Sequence, residues 1–455
     1  MNTAASETTD RSATAGGRGQ VLAWSLWDWG SAAYNAVILT FVFSVYLTDQ
    51  VGDDLPGGVS ANSWLGYSIG AAGLLIALMA PVLGQRADAA GRRKFATGVW
   101  TALTIVTMAG LFFVADDWHY LWLGLLLLGA GSIFFELASV SYNAVLTQVS
   151  TPATIGRVSG FGWAMGYLGG IVLLLAVYLG FVVGDGGLLG VPTENGFDIR
   201  LIALVAAAWF LVFAVPMFLV VPEVAPRSDQ PLDSPAPPAP QAPPAAIPRG
   251  LGVVASYKAL FADLRSLYRA SPHTVYFLGA SALFRDGLAA IFTFGAVLAV
   301  TVYGIGAGDV LIFGVAANIV SALGALVAGR IDDRVGPKAV VVGSLIGMLA
   351  TGVVLLFVSG PTMFWIFGLI LTLFVGPAQS SSRTYLARLA PPGHEGQLFG
   401  LYATTGRAVS FLAPTLVGVF TALFASDRAG MIGILLVLAI GLVALWPVHP
   451  PARTA

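Results

Sequence analysis

Along the chain, long apolar runs alternate with short polar breaks, and about a dozen runs reach the roughly 20 mostly apolar residues a spanning helix needs. The pattern predicts helix 1 over 21–47, helix 2 over 61–84, helix 3 over 95–115, helix 4 over 118–147, helix 5 over 157–184 and helix 6 over 199–222. It continues with helix 7 over 273–303, helix 8 over 308–329, helix 9 over 339–359, helix 10 over 361–389, helix 11 over 396–425 and helix 12 over 429–447. Helix 1 is too long for the apolar core of a signal peptide and is read as a retained span. Between helices 6 and 7 the pattern lapses into a Pro-rich stretch around Ser234–Pro244, which favours extended backbone and builds no core. After it, Tyr257, Leu260, Phe261, Leu264, Leu267 and Tyr268 recur at helical spacing, opposite Lys258, Asp263, Arg265 and Arg269. That predicts an amphipathic helix on the membrane surface. The expected organisation is a disordered N-terminus (1–20), a six-helix bundle (21–222), a linker with the amphipathic helix (223–272), a second six-helix bundle (273–447) and a tail (448–455).

Composition agrees with a polytopic all-α membrane protein. Apolar residues make up 57% of the 455-residue chain and charged residues 10%, against about 25% charged in soluble domains. The net charge of −1 gives no sign of a nucleic-acid partner. The distribution of charge is more telling. With twelve spans both termini lie on one side; of the 22 basic residues only Arg200 and Arg428 fall on the opposite loops, which carry Asp49, Asp53, Asp54, Asp116, Asp117, Asp185 and Asp198. The positive-inside rule then expects both termini in the cytoplasm. There is no Cys, and His119, His273, His394 and His449 are scattered without metal-ligand spacing. No Gly-Lys pair is present to build a phosphate loop, and no catalytic constellation appears. Neither metal, cofactor nor enzymatic activity is expected.

Two polar motifs occur twice. Gly84-Gln85-Arg86-Ala87-Asp88-Ala89-Ala90-Gly91-Arg92-Arg93-Lys94 follows helix 2, and Gly329-Arg330-Ile331-Asp332-Asp333-Arg334-Val335-Gly336-Pro337-Lys338 follows helix 8. Pro152, Gly156 and Gly160 open helix 5 at the spacing with which Pro392, Gly396 and Gly400 open helix 11. The chain is therefore two homologous halves. Gly84 and Gly91 permit close approach and unusual backbone angles, and Asp88 is an anion near helix ends, where a positive N-terminus or an Arg can meet it. Pro337 interrupts the basic run of the second copy, so the first copy is expected to be the fuller device.

Six helices repeated in parallel around a long central loop resemble the major facilitator superfamily, whose signature lies between helices 2 and 3 and again between 8 and 9. In that superfamily such loops are cytoplasmic latches between the halves, which the resemblance assigns here to Gly84, Asp88, Gly91, Arg92 and Arg93 and to Gly329, Asp333, Gly336 and Lys338. Further stretches are similar to the autophagy-related vacuolar effluxer family and its bacterial permeases. They are Trp27-Asp28-Trp29-Gly30 through Tyr34-Asn35 and on to Phe41, Gly162-Trp163-Ala164-Met165-Gly166-Tyr167-Leu168-Gly169-Gly170, Arg285-Asp286-Gly287-Leu288, Gln379 through Leu389, and Phe399-Gly400-Leu401-Tyr402. That resemblance implies a secondary transporter of small polar metabolites, with amino acids as the suggested cargo, working by alternating access in a bacterial cell membrane.

Ionisable residues inside a bilayer are costly unless paired or hydrated. Here they are Asp28, Glu136, Arg285, Asp286, Arg383 and Arg407. In the superfamily helices 1, 4, 7 and 10 line the central cavity, and all but Arg407 fall on them. Mixed signs suit a zwitterion, with Tyr34, Asn35, Asn143 and Gln379 as uncharged candidates. Asp28 and Arg383 lie shallow, where structural pairing competes with substrate contact. Arg285 and Asp286 point about 100° apart, so one is expected to face the cavity and the other a neighbouring helix. Asp286 or Glu136 is the hypothetical proton carrier. Gly162, Gly166 and Gly170 form a small-residue stripe on helix 5, expected to pack against helix 8 of the other bundle. A monomer in the lipid bilayer is expected. Other readings stay open: a multidrug exporter, which cavity aromatics and a single acid would favour, and a transporter-shaped receptor or lipid-handling protein.

Overall fold

A computed structural model describes residues 17–223 (except 57 and 185), 258, 262, 265–269 and 271–449 (except 392). The Pro-rich segment, most of the amphipathic helix and nearly all of the N-terminal segment and C-terminal tail lie outside the described residues. Among the described residues, twelve helices are long and apolar enough to cross a membrane: α1 (Arg18–Asp49), α2 (Ala61–Ala90), α3 (Arg93–Phe113), α4 (Trp118–Val149), α5 (Ile155–Val182), α6 (Glu194–Val220), α7 (Pro272–Thr301), α8 (Ile312–Val335), α9 (Pro337–Phe357), α10 (Pro361–Leu389), α11 (Glu395–Phe424) and α12 (Asp427–Leu445). Each matches a predicted span to within a few residues. Helix closes the backbone hydrogen bonds internally, which an apolar solvent demands.

The largest differences fall at the polar motifs. α2 runs on to Ala90 and α8 to Val335, so Gly84–Ala90 and Gly329–Val335 are terminal helical turns, and only Gly91 and Arg92, and Gly336 alone, lie between helices. The hydrophobic pattern could not carry a helix through Gln85, Arg86 and Asp88; the missing stability comes from the facing bundle. Gly91 stops α2 in the left-handed conformation (φ 62°), with its N–H turned back to Ala87 and Asp88. α1 begins at Arg18, so the last residues assigned to the disordered N-terminus are helical.

Two spans are broken. α1 widens into a π-helical stretch over Ala33–Phe41 and bends at Val42 (φ −120°, ψ −69°), a distortion common at functional places. α11 breaks between Val409 and Leu412. Pro414 lies just beyond, where it has no N–H to give and its ring crowds the preceding turn.

α1–α6 pack on one another as one bundle and α7–α12 as a second, the most extensive contacts between them being α2 with α11 and α5 with α8. The end of the molecule with the two polar motifs is called here the latch end, and the other the far end.

Candidate functional site

At the latch end, the N-termini of α5 and α11 lack side-chain caps of their own. A helix start leaves N–H groups without intrahelical partners and carries partial positive charge. Each start is capped from the other bundle. Asp88 Oδ1 and Oδ2 accept from the backbone N–H of Gly396 (3.1 Å) and Gln397 (2.8 Å). Asp333 Oδ1 and Oδ2 accept from Gly156 (2.8 Å) and Arg157 (3.2 Å). The two sequence repeats are thus partners, the Asp motif of each half seated on the Gly-x-x-x-Gly helix start of the other.

The glycines make that seat possible. A Cβ on Gly84 would lie 2.1 Å from the Gly396 carbonyl oxygen, and one on Gly329 2.6 Å from that of Gly156. One turn further on, a Cβ on Gly400 would lie 2.5 Å from the Ala80 oxygen, and one on Gly160 2.3 Å from that of Ala325.

The latches differ in their cations. Arg93 bonds Asp88 Oδ1 through Nε (2.6 Å) and also grips Glu395, joining α3 to α11. In the second copy Pro337 occupies the equivalent start of α9. The basic role passes to Arg157, 3.2 Å from Asp333, and to Arg388 at the end of α10, 3.2 Å from Asp332 and 3.8 Å from Asp333. The second motif thus also has cations against its acids, drawn from outside the motif. Lys338 serves elsewhere: its Nζ donates to the carbonyls of Trp446 (2.8 Å) and Val448 at the end of α12. Lys94 does the same for Phe218 (3.3 Å) and Val221 (2.8 Å) at the end of α6, where cations suit a helix C-terminus. Lys338 thus corresponds to Lys94, with one residue lost between Gly336 and Lys338. Arg92 is exposed at the turn.

Behind the latches lie further bonds between the bundles, among them two ion pairs. Arg383 of α10 enters the first bundle, with Nη1 3.2 Å from Asp28 and 3.3 Å from Asn143, and Nε and Nη2 on the hydroxyl and carbonyl of Ser159 (2.9 and 2.6 Å). Its guanidinium also lies over the rings of Trp24 and Trp163, and Tyr142 donates to Asp28 (2.8 Å). Arg407 of α11 pairs with Glu136 of α4 at 3.0 Å.

The remaining candidates take other places. Both Arg285 and Asp286 turn to α11, not one to a cavity. Arg285 donates to the Tyr402 carbonyl (3.0 Å) and stacks on the Tyr402 ring, 3.8 Å from its centre. Asp286 accepts from the Ala413 N–H (2.7 Å), capping the helix that restarts beyond the break. The Tyr34 hydroxyl bonds the Leu128 carbonyl (3.0 Å) and Ser132 (2.9 Å), joining α1 to α4. Asn35 is exposed on the π-helical stretch and Gln379 half-buried on α10. The glycine stripe of α5 faces α1, not α8. Cβ atoms on Gly162, Gly166 and Gly170 would meet Asp28 and Trp24, Asp28, and Ala32 and Ala36 respectively, with only Gly162 also reaching Arg383 of the other bundle. The glycines facing α8 are Gly156 and Gly160, on the other side of the helix.

At the far end a cavity of ≈ 1000 Å³ lies between α1 and α5 on one side and α7, α8, α10 and α12 on the other. Its walls are apolar, with aromatic rings from Phe41, Tyr178, Phe292, Phe313 and Phe364. None of the ten candidate pathway residues lines it: Asp28, Glu136, Arg383 and Arg407 pair across the bundles below it, and Arg285 and Asp286 bond α11. Patterning marked those residues as anomalous but not what they face.

A two-bundle, twelve-helix molecule sealed at one end and hollow at the other is a transporter of the major facilitator class. Solved members share the fold at low identity. Over 95% of this chain and 96% of its own, the proton:xylose symporter XylE superposes with a TM-score of 0.70 at 14% identity. The E. coli fucose:proton symporter FucP, over 94% and 97%, gives 0.69 at 12%. Residues 48–451 match the family model described as vacuole effluxer Atg22 like, and the chain belongs to that family. An uncharacterized MFS-type transporter, YxiO of Bacillus subtilis, is 25% identical over 428 residues, 93% of each chain. Autophagy-related protein 22-1 of Aspergillus fumigatus is 25% identical over 322 residues, 66% of this chain and 49% of the fungal protein, so the chain spans about half of that relative's length.

Proposed function

We propose that this integral membrane protein is a secondary transporter working by alternating access, with the latch end in the cytoplasm of a bacterial cell and the far end outside. The reciprocal capping of α11 by Asp88 and of α5 by Asp333 carries this reading. Both caps join the bundles at one end only, so rocking the bundles apart there breaks both together and frees N–H groups that water can satisfy. Opening at the latch end also separates Asp28 from Arg383 and Glu136 from Arg407, four charges that a polar cargo meets only in that second state. The cytoplasmic assignment rests on the basic residues around both latches. An outward direction accords with the family's description as effluxers.

Proton coupling is assigned to Glu136 in preference to Asp286, since Glu136 pairs across the bundles whereas Asp286 caps a helix within one. Counterflow in proteoliposomes tests the gating: Asp88→Asn slows transport while substrate affinity stays nearly constant. A large loss of affinity with unchanged turnover contradicts it. The exporter reading with a less polar cargo is favoured by one observation, the apolar far-end cavity.

A further inference from the structure

Resting on the transporter reading, the geometry points to a substrate class: the far-end cavity takes an amphipathic organic cation, its apolar body between the bundles and its charge at Asp49. Among the described lining residues Asp49 is the one charged side chain, and none is Arg, Lys or His. It stands exposed at the end of α1, holding the Thr48 hydroxyl (2.9 Å). The polar groups deeper in the wall are engaged by the fold. Asn318 Nδ2 donates to Gly314 (2.8 Å), the Thr372 hydroxyl to Leu369 (3.0 Å), the Tyr303 hydroxyl to Leu355 (2.6 Å) and the Tyr46 hydroxyl to Val114 (3.1 Å). A free amino acid would carry its carboxylate into this space with no cation to meet it, a costly burial. A cation with a ring-bearing apolar body instead matches the aromatic walls and the acid at the rim. The volume of ≈ 1000 Å³ lies at the upper end of the range, about 300–1,000 Å³, that holds drug-sized ligands.

The surrounding charge points the same way. Asp53, Asp54, Asp116, Asp117 and Glu194 are exposed on the far-end loops. The two arginines there are turned onto the backbone, Arg200 to Phe112 (2.6 Å) and Arg428 to Leu356 (3.2 Å) and Val358 (2.9 Å). A mouth of net negative charge concentrates cations.

The test is equilibrium binding of radiolabelled tetraphenylphosphonium to the purified full chain, against tetraphenylborate, an anion of nearly the same shape. Saturable binding of the cation is expected, with the anion at least tenfold weaker. Asp49→Asn should weaken the cation about two- to fivefold, whereas Asp53→Asn, outside the lining, should weaken it less. Equal affinity for both ions, no saturable cation binding, or an Asp49→Asn variant that binds as tightly as the parent would each overturn the proposal. The gating result for Asp88→Asn reads movement, not cargo chemistry, and stands or falls separately.

Discussion

Gly84 of α2 and Gly396 of α11 meet backbone to backbone: a Cβ added to Gly84 would fall 2.1 Å from the Gly396 carbonyl oxygen. No side chain fits there without parting the bundles. Gly84→Ala should therefore disfavour the sealed state while each bundle still folds. The check is the accessibility of latch-end positions to an impermeant thiol reagent in this otherwise Cys-free chain. Gly279→Ala, which meets nothing within 4 Å, is the control and should leave accessibility unchanged.

The two caps are separate copies of one device, so their losses should add. Asp88→Asn and Asp333→Asn each keep an acceptor but lose the charge facing a helix N-terminus, which costs about 1 kcal/mol apiece. Turnover of the double variant should fall by about the product of the single effects. Measured turnover equal to that of the worse single variant would mean that one latch alone governs the gate.

Arg383 and Asp28 are buried partners from different bundles. Removing one leaves the other unpaired, a loss of about 3–5 kcal/mol, so Arg383→Ala and Asp28→Ala should each lower the unfolding temperature more than the double variant does. Thermal unfolding of the three proteins completes the cycle; additive losses would show that the pair carries no coupling.

Asp286 is read as a positioning residue for the broken α11. Asp286→Ala removes the acceptor for the Ala413 N–H and should reduce stability by about 1–2 kcal/mol, with proton-driven uptake retained by the folded fraction. Glu136→Gln should show the opposite split, near-parental stability with weakened proton dependence. Loss of proton dependence in Asp286→Ala alone would transfer the carrier role to Asp286.

Much of this was legible in the sequence. Helical spans followed from hydrophobic runs because lipid leaves the backbone few alternatives, and doubling followed from the repeated Gly-Asp-Gly motif. The Gly156 and Gly396 repeats were visible too, but nothing in a linear pattern says that one repeat docks on another. Arg388 and Glu395 were overlooked for the same reason: each completes a latch built from a distant motif. The charges at Asp28, Glu136, Arg383 and Arg407 stood out as costly, yet their cost is met by one another across the bundles, and the cavity is lined by residues that look like ordinary span.

The paired repeats seal one end of the molecule and leave the other open. The most direct test is site-specific thiol labelling in membranes, comparing Ser380→Cys, buried between α10 and α5, with Asn318→Cys in the far-end cavity. Asn318→Cys should be labelled by an impermeant maleimide from the far side while Ser380→Cys is protected from both sides. Adding Asp88→Asn and Asp333→Asn should expose Ser380→Cys from the latch side only. Equal labelling of both positions with the latches intact, or protection of Ser380→Cys with both latches removed, would contradict such a seal.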